Sequence, residues 1–400
     1  MSDPATRPGR ITLGIVSIVS FNFAACLCNG LPLAVLPGYV LNDLNMSPVF
    51  AGIVIGVQYL ATLLSRPLSG QLADRFGSKR VVLCGLAGLV LSGALTSLAI
   101  GLHAQLWLGT GLLLAGRVVL GVSAALISTP SCIWAIGMYG TNNTARVMSW
   151  NGIAAYGGTA LGAPLGVLVR DGMHLAGIGL FTALLGLVPM LLAFSRPSAP
   201  VLPGIRLPFR HVFLAVMPNG IAMACSSVGF GSLAAFIALY FDSLGWENAA
   251  YCLTSFGVAF IAARLVSPNL LPRFGGYRVV AVCMLVQSLG MLMIWQAPSP
   301  QLVMLGAGLT GLGVSWVYPG LGVETLERTP QANRGAALSA LSLFFDLAVG
   351  LAGPLMGFVA SGFGFAEVFL VSGLLSVVGF LLVMHLHRNA LRSRASRSLL

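Results

Sequence analysis

Long apolar runs recur along the whole chain, and their length constrains the fold more than any other feature of the sequence. Each run is close to the roughly 20 residues that an α-helix needs to cross the hydrocarbon core of a bilayer. Because 57% of the residues are hydrophobic and only 8% are charged, a soluble globular fold is excluded. The sequence therefore predicts an all-α membrane protein with twelve transmembrane helices, at 11–40, 48–72, 80–103, 106–138, 146–169, 174–195, 210–241, 248–271, 278–297, 301–325, 335–361 and 366–387.

Most basic residues lie in every second loop of this arrangement or in the tail. They are Arg7, Arg10, Arg75, Lys79, Arg80, Arg146, Arg196, Arg206, Arg210, Arg273, Arg278, Arg328, Arg334, Arg388, Arg392, Arg394 and Arg397. The opposite loops hold one arginine and five acids, namely Arg170, Asp43, Asp171, Asp242, Glu247 and Glu367. Since short loops rich in Lys and Arg stay in the cytoplasm, both termini are predicted to be cytoplasmic. Membrane orientation thus accounts for the net charge of +11, and we expect no nucleic-acid partner.

The sequence also contains an internal repeat. Residues 66–82, RPLSGQLADRFGSKRVV, match residues 264–280, RLVSPNLLPRFGGYRVV, at an offset of 198, and Gly121-Val-Ser matches Gly313-Val-Ser at an offset of 192. Such near-constant offsets predict a duplicated six-helix unit. We therefore predict two bundles related by pseudo-two-fold symmetry, at 1–195 and 210–388, with a proline-rich cytoplasmic linker at 196–209 and a basic cytoplasmic tail at 389–400.

Two ionisable residues lie deep inside predicted spans, where an ionisable group is costly and is a functional candidate. Arg117 in span 4 is expected either to line a cavity, binding an anionic group or acting on a proton-carrying acid, or to snorkel or brace helices. Asp346 in span 11 is expected either to carry protons or to hold neighbouring helices together. We favour the functional interpretation for both and name them as proton-coupling candidates.

Amide and aromatic side chains within the spans are candidates for a substrate cavity. An aromatic residue can equally face lipid or pack against another helix. Taken together, amides and aromatics with few charges suit an amphiphilic or weakly anionic organic molecule. The candidates are Asn22, Gln58, Tyr59, Trp134, Asn151, Tyr156, Trp316 and Tyr318.

Several stretches resemble the major facilitator superfamily of secondary transporters. Residues 70–80, GQLADRFGSKR, resemble its loop 2–3 signature, G-x-L-a-D-r-x-G-r-k-x, and residues 117–125, RVVLGVSAA, resemble the signature R-x-x-x-G-x-x-a-a of proton-coupled members. Residues 158–166, GTALGAPLG, are similar to the span 5 signature of antiporters, although Ala163 separates the Gly-Pro pair. Residues 15–23 and 30–40 resemble the YhhS group of bacterial inner-membrane exporters.

The resemblance implies a fold of two six-helix bundles and a gate at the turn between spans 2 and 3. It assigns gating roles to Gly70, Asp74, Arg75, Gly77 and Arg80. In this assignment Asp74, together with Arg75 and Arg80, forms a latch between helices. An acid here can also cap the positive end of a nearby helix N-terminus, such as that of span 11. The second copy has Pro272 in place of Asp74, so we expect an asymmetric latch.

The resemblance further implies a proton antiporter that exports a small organic compound, drug-like or metabolic, across the inner membrane of a bacterium. A proton symporter that imports an organic acid or sugar is the alternative, and a lipid-handling protein or membrane-embedded enzyme is a third. We expect no enzyme activity, metal or cofactor, because the sequence contains no nucleophile, metal-ligand or phosphate-binding constellation. The expected partners are a small-molecule substrate, protons and the lipid bilayer, with the chain acting as a monomer.

Overall fold

The fold is described from a computed structural model, which covers residues 8–36, 39–46, 48–102, 105–173, 176–200, 205 and 207–397. Two compact units make up the chain. The first unit contains residues 1–209 together with 330–339, and the second contains 210–329 together with 340–400. The loop residues Arg7 and Arg206, part of the predicted linker at 201–204 and the last three residues of the predicted tail lie outside the described residues. The predicted domain boundaries stay a prediction.

Six long helices form the first unit. They are α1 (Pro8–Gly30), α2 (Pro48–Phe76), α3 (Ser78–Gly101), α4 (Leu106–Tyr139), α5 (Thr144–Met173) and α6 (Ala176–Phe194). A short 3-10 helix, Leu31–Ala34, and a π-helical turn, Tyr39–Asp43, follow α1.

The later part of the chain contributes α7 (Phe209–Ser243), α8 (Ala250–Val266), α9 (Gly276–Trp295), α10 (Pro300–Arg328), α11 (Arg334–Phe363) and α12 (Phe365–Arg397). A short helix, Leu270–Phe274, precedes α9. The described residues contain no β-strand. Of the twelve long helices in the described residues, nine are individually long and apolar enough to cross a membrane. The three that do not meet this test singly are α2, α5 and α8. The twelve predicted spans each correspond to one of these helices.

Proline explains where the helices depart from the predicted spans. The first run was predicted as one helix over 11–40, but the α-helix ends at Gly30, just before Pro32. The eighth run was predicted to continue to residue 271, but α8 ends at Val266 ahead of Pro268. Helix α10 consists of two pieces, Pro300–Ser315 and Val317–Arg328. A proline lacks a backbone N–H and disfavours helical geometry in the residue before it, so each helix ends or breaks nearby.

Helix packing repeats between the two units. In the first unit α4 packs against α2 and α3, and α3 packs against α6. In the second unit α10 packs against α8 and α9, and α9 packs against α12. Each of these three pairs thus has a counterpart six helices later, as expected of a duplicated six-helix unit.

Close helix packing corrects one of the sequence matches. A Cβ atom at Gly121 in α4 would overlap the backbone of α2 at Gln58. A Cβ atom at Gly311 in α10 would overlap the backbone of α8 at Phe256, which is separated from Gln58 by the same offset of 198 as the charged repeat. Gly313, which the sequence comparison pairs with Gly121, packs against α9 instead. That pairing is wrong by two residues, because glycine and valine are too common in apolar helices to define a register.

Candidate functional site

Asp74, near the end of α2, contacts the first turn of α11 within the first unit. Its Oδ1 accepts a hydrogen bond from the backbone N–H of Gly335 at 2.8 Å, and its Oδ2 accepts one from Ala336 at 2.9 Å. The first N–H groups of a helix have no partner inside that helix, and its N-terminus carries partial positive charge. A carboxylate satisfies both needs. The predicted capping of the helix of span 11 is confirmed.

Gly70 lies one helical turn before Asp74 and allows α2 and α11 to approach each other. A Cβ atom at Gly70 would overlap the carbonyl oxygen of Gly335, and a Cβ atom at Gly335 would overlap that of Gly70. Beside this pair, the hydroxyl oxygens of Ser69 and Ser339 are 3.5 Å apart. Backbone approach of this kind requires small residues on both helices, which explains the need for glycine in the signature at position 70.

The remaining residues of the predicted gate lie in or beside the turn between α2 and α3. Gly77 has a φ of 90°, in the region that favours glycine. Lys79 donates hydrogen bonds to the carbonyl oxygens of Phe194 at 2.9 Å and Arg196 at 2.5 Å, at the C-terminal end of α6, where a cation is favoured. The guanidinium of Arg75 lies 5.2 Å from the ring centroid of Phe76. Arg80 is exposed. The gating roles of these residues stay predictions.

Four of the candidate polar side chains lie on the helices of the first unit around α1. Asn22 is buried in α1, and its Nδ2 donates to Oδ1 of Asn151 in α5 at 3.1 Å. Gln58 is buried in α2, and its Nε2 donates to Oδ1 of Asn29 in α1 at 2.6 Å. Two of the candidates, Asn22 and Asn151, are therefore hydrogen-bonded to each other. Asn29, which was not among the candidates, is the hydrogen-bond partner of Gln58. Tyr156 is half-buried in α5.

Arg117 is buried within α4, with an exposed fraction of 2%. Its Nε donates to the backbone carbonyl of Val54 in α2 at 3.4 Å. Its Nη2 is buried and has no hydrogen-bond partner among the described residues. Burial excludes the prediction that this side chain snorkels, because a snorkelling arginine places its charged end in water. Bracing of α2 and binding of a ligand both remain consistent with its position.

Trp134 has a different environment from the amide candidates. It is fully buried in α4, where its ring stacks on Phe21 with centroids 5.7 Å apart. Its Nε1 donates to the backbone carbonyl of Pro197, just after α6, at 3.0 Å. The single polar group of Trp134 is thus bonded to the protein backbone. A role for this residue in a substrate cavity stays a prediction.

Asp346 and two aromatic candidates belong to the second unit. Asp346 is half-buried in α11. Ser342, one turn earlier in α11, lies 2.9 Å from the hydroxyl of Tyr318, oxygen to oxygen. Residues four apart share a helix face, so Tyr318 contacts the face of α11 on which Asp346 lies. Trp316 is buried at the break in α10.

Arg264, in α8, is a polar residue of the second unit that the sequence analysis did not propose. It is buried, and its Nε and Nη2 donate to the carbonyl oxygen of Ser315 at 3.1 and 2.6 Å. In an unbroken helix this carbonyl would bond the N–H four residues later, but that residue is Pro319, which has none. The guanidinium replaces the missing donor at the break in α10. An arginine within a span and a proline in a nearby span were the available signals.

We expect Arg264→Gln to lower the melting temperature of the purified protein by roughly 5 °C. The substitution leaves the buried Ser315 carbonyl without its donors, which costs about 1–3 kcal/mol. The matched control is Ser315→Ala, which removes the hydroxyl that accepts from Arg264 at 3.2 Å and donates to the Phe260 carbonyl at 2.8 Å. It keeps the bonds from Arg264 to the Ser315 carbonyl, so its effect should be smaller. Thermal unfolding followed by intrinsic fluorescence measures both, and equal melting of wild type and Arg264→Gln would contradict this role.

Comparison with known proteins extends over almost the whole chain. Residues 18–292 and 220–398 match the family model described as Major Facilitator Superfamily. An uncharacterized MFS-type transporter from Pseudomonas aeruginosa (strain UCBPP-PA14) is 48% identical over 391 residues, which cover 97% of each chain.

Two solved structures show the same fold. The human organic anion transporter MFSD10 (TETRAN) aligns with a TM-score of 0.78 and 18% identity over 94% of this chain and 100% of that one. The proton:xylose symporter XylE aligns with a TM-score of 0.76 and 14% identity over 95% of this chain and 96% of that one. At these identities the likeness is one of fold alone.

Proposed function

Because the chain belongs to the major facilitator superfamily of membrane transporters, with the twelve-helix, two-bundle fold of that family, we propose that it is a proton antiporter. It exports a small organic compound by alternating access, in which a central site opens to each side of the membrane in turn. The observation that carries this proposal is the contact of Gly70 and Asp74 with the start of α11, because a helix held by its first turn can be released and recaptured.

Proton coupling is assigned to Asp346 and Arg117. A carboxyl group within a span can bind a proton, and a guanidinium nearby or a bound anion changes how tightly that proton is held. Arg117 lies in the stretch that resembles the signature of proton-coupled members. The chain is proposed to lie in a bacterial inner membrane with both termini in the cytoplasm, so that the turn after α2 is on the cytoplasmic side.

A proton symporter that imports a metabolite is the second candidate function. A solved structure with the same fold is described as a proton:xylose symporter, so this fold is compatible with proton symport. The two functions differ in the sign of the coupled proton movement. In both, protons and a small molecule share one transport cycle.

Proton movement in everted vesicles with an acidic lumen separates these functions. If the protein is an antiporter, addition of a transported compound drives protons out of the lumen, and a pH-sensitive dye reports a rise in lumenal pH. Organic acids, organic cations and sugars are added in turn, and vesicles without the protein serve as the control. A fall in lumenal pH supports the symporter, and the absence of proton movement with every compound contradicts both functions.

A further inference from the structure

The guanidinium of Arg117 has more hydrogen-bonding capacity than the protein uses. The side chain carries five N–H donors. One of them reaches the Val54 carbonyl at 3.4 Å, and Nη2 is buried without a partner among the described residues. Burying a charged group without full pairing costs several kcal/mol. A cost of this size is commonly found at sites where a ligand completes the pairing.

The described acids of the first unit do not neutralise this charge. Asp74 bonds the first turn of α11, Asp171 pairs with Arg170 at 2.9 Å, and Asp43 is exposed whereas Arg117 is buried. Tyr59 in α2 interacts electrostatically with Arg117, but a tyrosine hydroxyl is a hydrogen-bonding group and not a fixed negative charge. The positive charge of Arg117 is therefore available to a bound anion.

The surroundings of Arg117 contain a second buried polar atom without a partner among the described residues. Gln58 lies one turn after Val54 in α2, so both residues lie on the α2 face that Arg117 contacts. The Oε1 atom of Gln58 is buried and has no partner among the described residues, while its Nε2 is bonded to Asn29. Tyr59, the next residue in α2, is close enough to Arg117 to interact with it electrostatically and is 48% exposed.

We propose that the transported compound is an organic anion with a carboxylate or similar planar oxyanion, and that Arg117 binds this group. The proposal rests on the proposed transport function and names its substrate class. A planar guanidinium forms two parallel hydrogen bonds with a carboxylate, which a lysine cannot reproduce. A hydroxyl or N–H beside the anionic group would bond Gln58 Oε1. The apolar remainder of the compound packs against the aromatic and apolar side chains of the helices.

Pairs of carboxylic acids and their amides test this inference on the purified protein. Benzoate, phenylacetate and 4-hydroxybenzoate are compared with benzamide, phenylacetamide and 4-hydroxybenzamide, which have nearly the same shape without the charge. We expect at least one acid to raise the melting temperature in proportion to the logarithm of its concentration, as a ligand of the folded state does, while its amide does not. Equal responses to acid and amide throughout the panel overturn the proposal.

Variants locate the binding. Arg117→Gln is expected to abolish the stabilisation by the acid, and Arg117→Lys to weaken the apparent affinity about tenfold or more, because the paired hydrogen bonds are lost. The matched control is Arg170→Gln, which removes a half-exposed arginine paired with Asp171 and should keep the full response. Unchanged stabilisation in Arg117→Lys overturns the proposal, even if Arg117→Gln fails to fold.

The binding and vesicle experiments together distinguish a wrong substrate class from a wrong transport function. If cations or sugars drive proton movement in vesicles while no acid binds through Arg117, the substrate class is wrong and the antiport proposal stands. If an acid binds through Arg117 but moves no protons, the substrate-class inference stands and the antiport proposal is wrong.

Discussion

Replacing Asp74 with alanine is expected to reduce transport about tenfold or more and to speed hydrogen exchange in the first turn of α11. The substitution removes the hydrogen bonds from Gly335 and Ala336, each worth about 1.5–3 kcal/mol because the acceptor is charged. It also removes a favourable charge at a helix N-terminus, worth roughly 0.3–1 kcal/mol. A loss of about 3 kcal/mol changes the ratio of two conformations by more than 100-fold. One state of the cycle then becomes too scarce to support rapid turnover.

Hydrogen-exchange mass spectrometry on a peptide that covers residues 333–340 tests the structural part of this prediction. The flux assay in everted vesicles tests the functional part. Asp171→Asn is the matched control, because it neutralises an exposed acid whose partner is the neighbouring Arg170. Exchange at the start of α11 as slow in Asp74→Ala as in wild type would show that the carboxylate does not hold this turn.

Replacing Asp346 with asparagine is expected to abolish proton-coupled transport, with a loss of about 100-fold or more, while the protein still folds and inserts. Asparagine has nearly the shape of aspartate but no proton to exchange at neutral pH, so the coupling step is lost. Exchange of substrate for substrate across the membrane, which needs no net proton movement, should persist. Asp242→Asn, at an exposed acid near the end of α7, is the matched control. Normal proton release by the Asp346→Asn variant would remove Asp346 from the mechanism.

The helices were predictable because their cause is local. A run of about 20 apolar residues satisfies the requirement for crossing a bilayer whatever its neighbours are. The breaks near Pro32 and Pro268 were not placed correctly, although the same residues were visible, because hydropathy continues across them. Asp74 could be placed at the N-terminus of α11 because the loop signature suggested a partner and helix termini attract acids.

Other parts of the candidate site depend on pairs that no local pattern reveals. Arg264 was missed because its partner, the Ser315 carbonyl, is free only through the absence of an N–H on Pro319, and only the packing of α8 on α10 brings the guanidinium there. The polar contact of Trp134 with Pro197 is likewise a consequence of tertiary structure. Arg117 could be singled out by its charge, but its unpartnered nitrogen could be found only from its surroundings.

The first unit is built from two separate stretches of sequence, and this limits where the chain can be cut into fragments. Residues 330–339 belong to this compact unit although they follow α10 in sequence. A fragment that ends at residue 209 would leave Asp74 without its two amide partners and Gly70 without the backbone that covers it. If the polypeptide is divided at residue 209, these contacts of the first fragment can form only when the second fragment supplies residues 330–339 in trans.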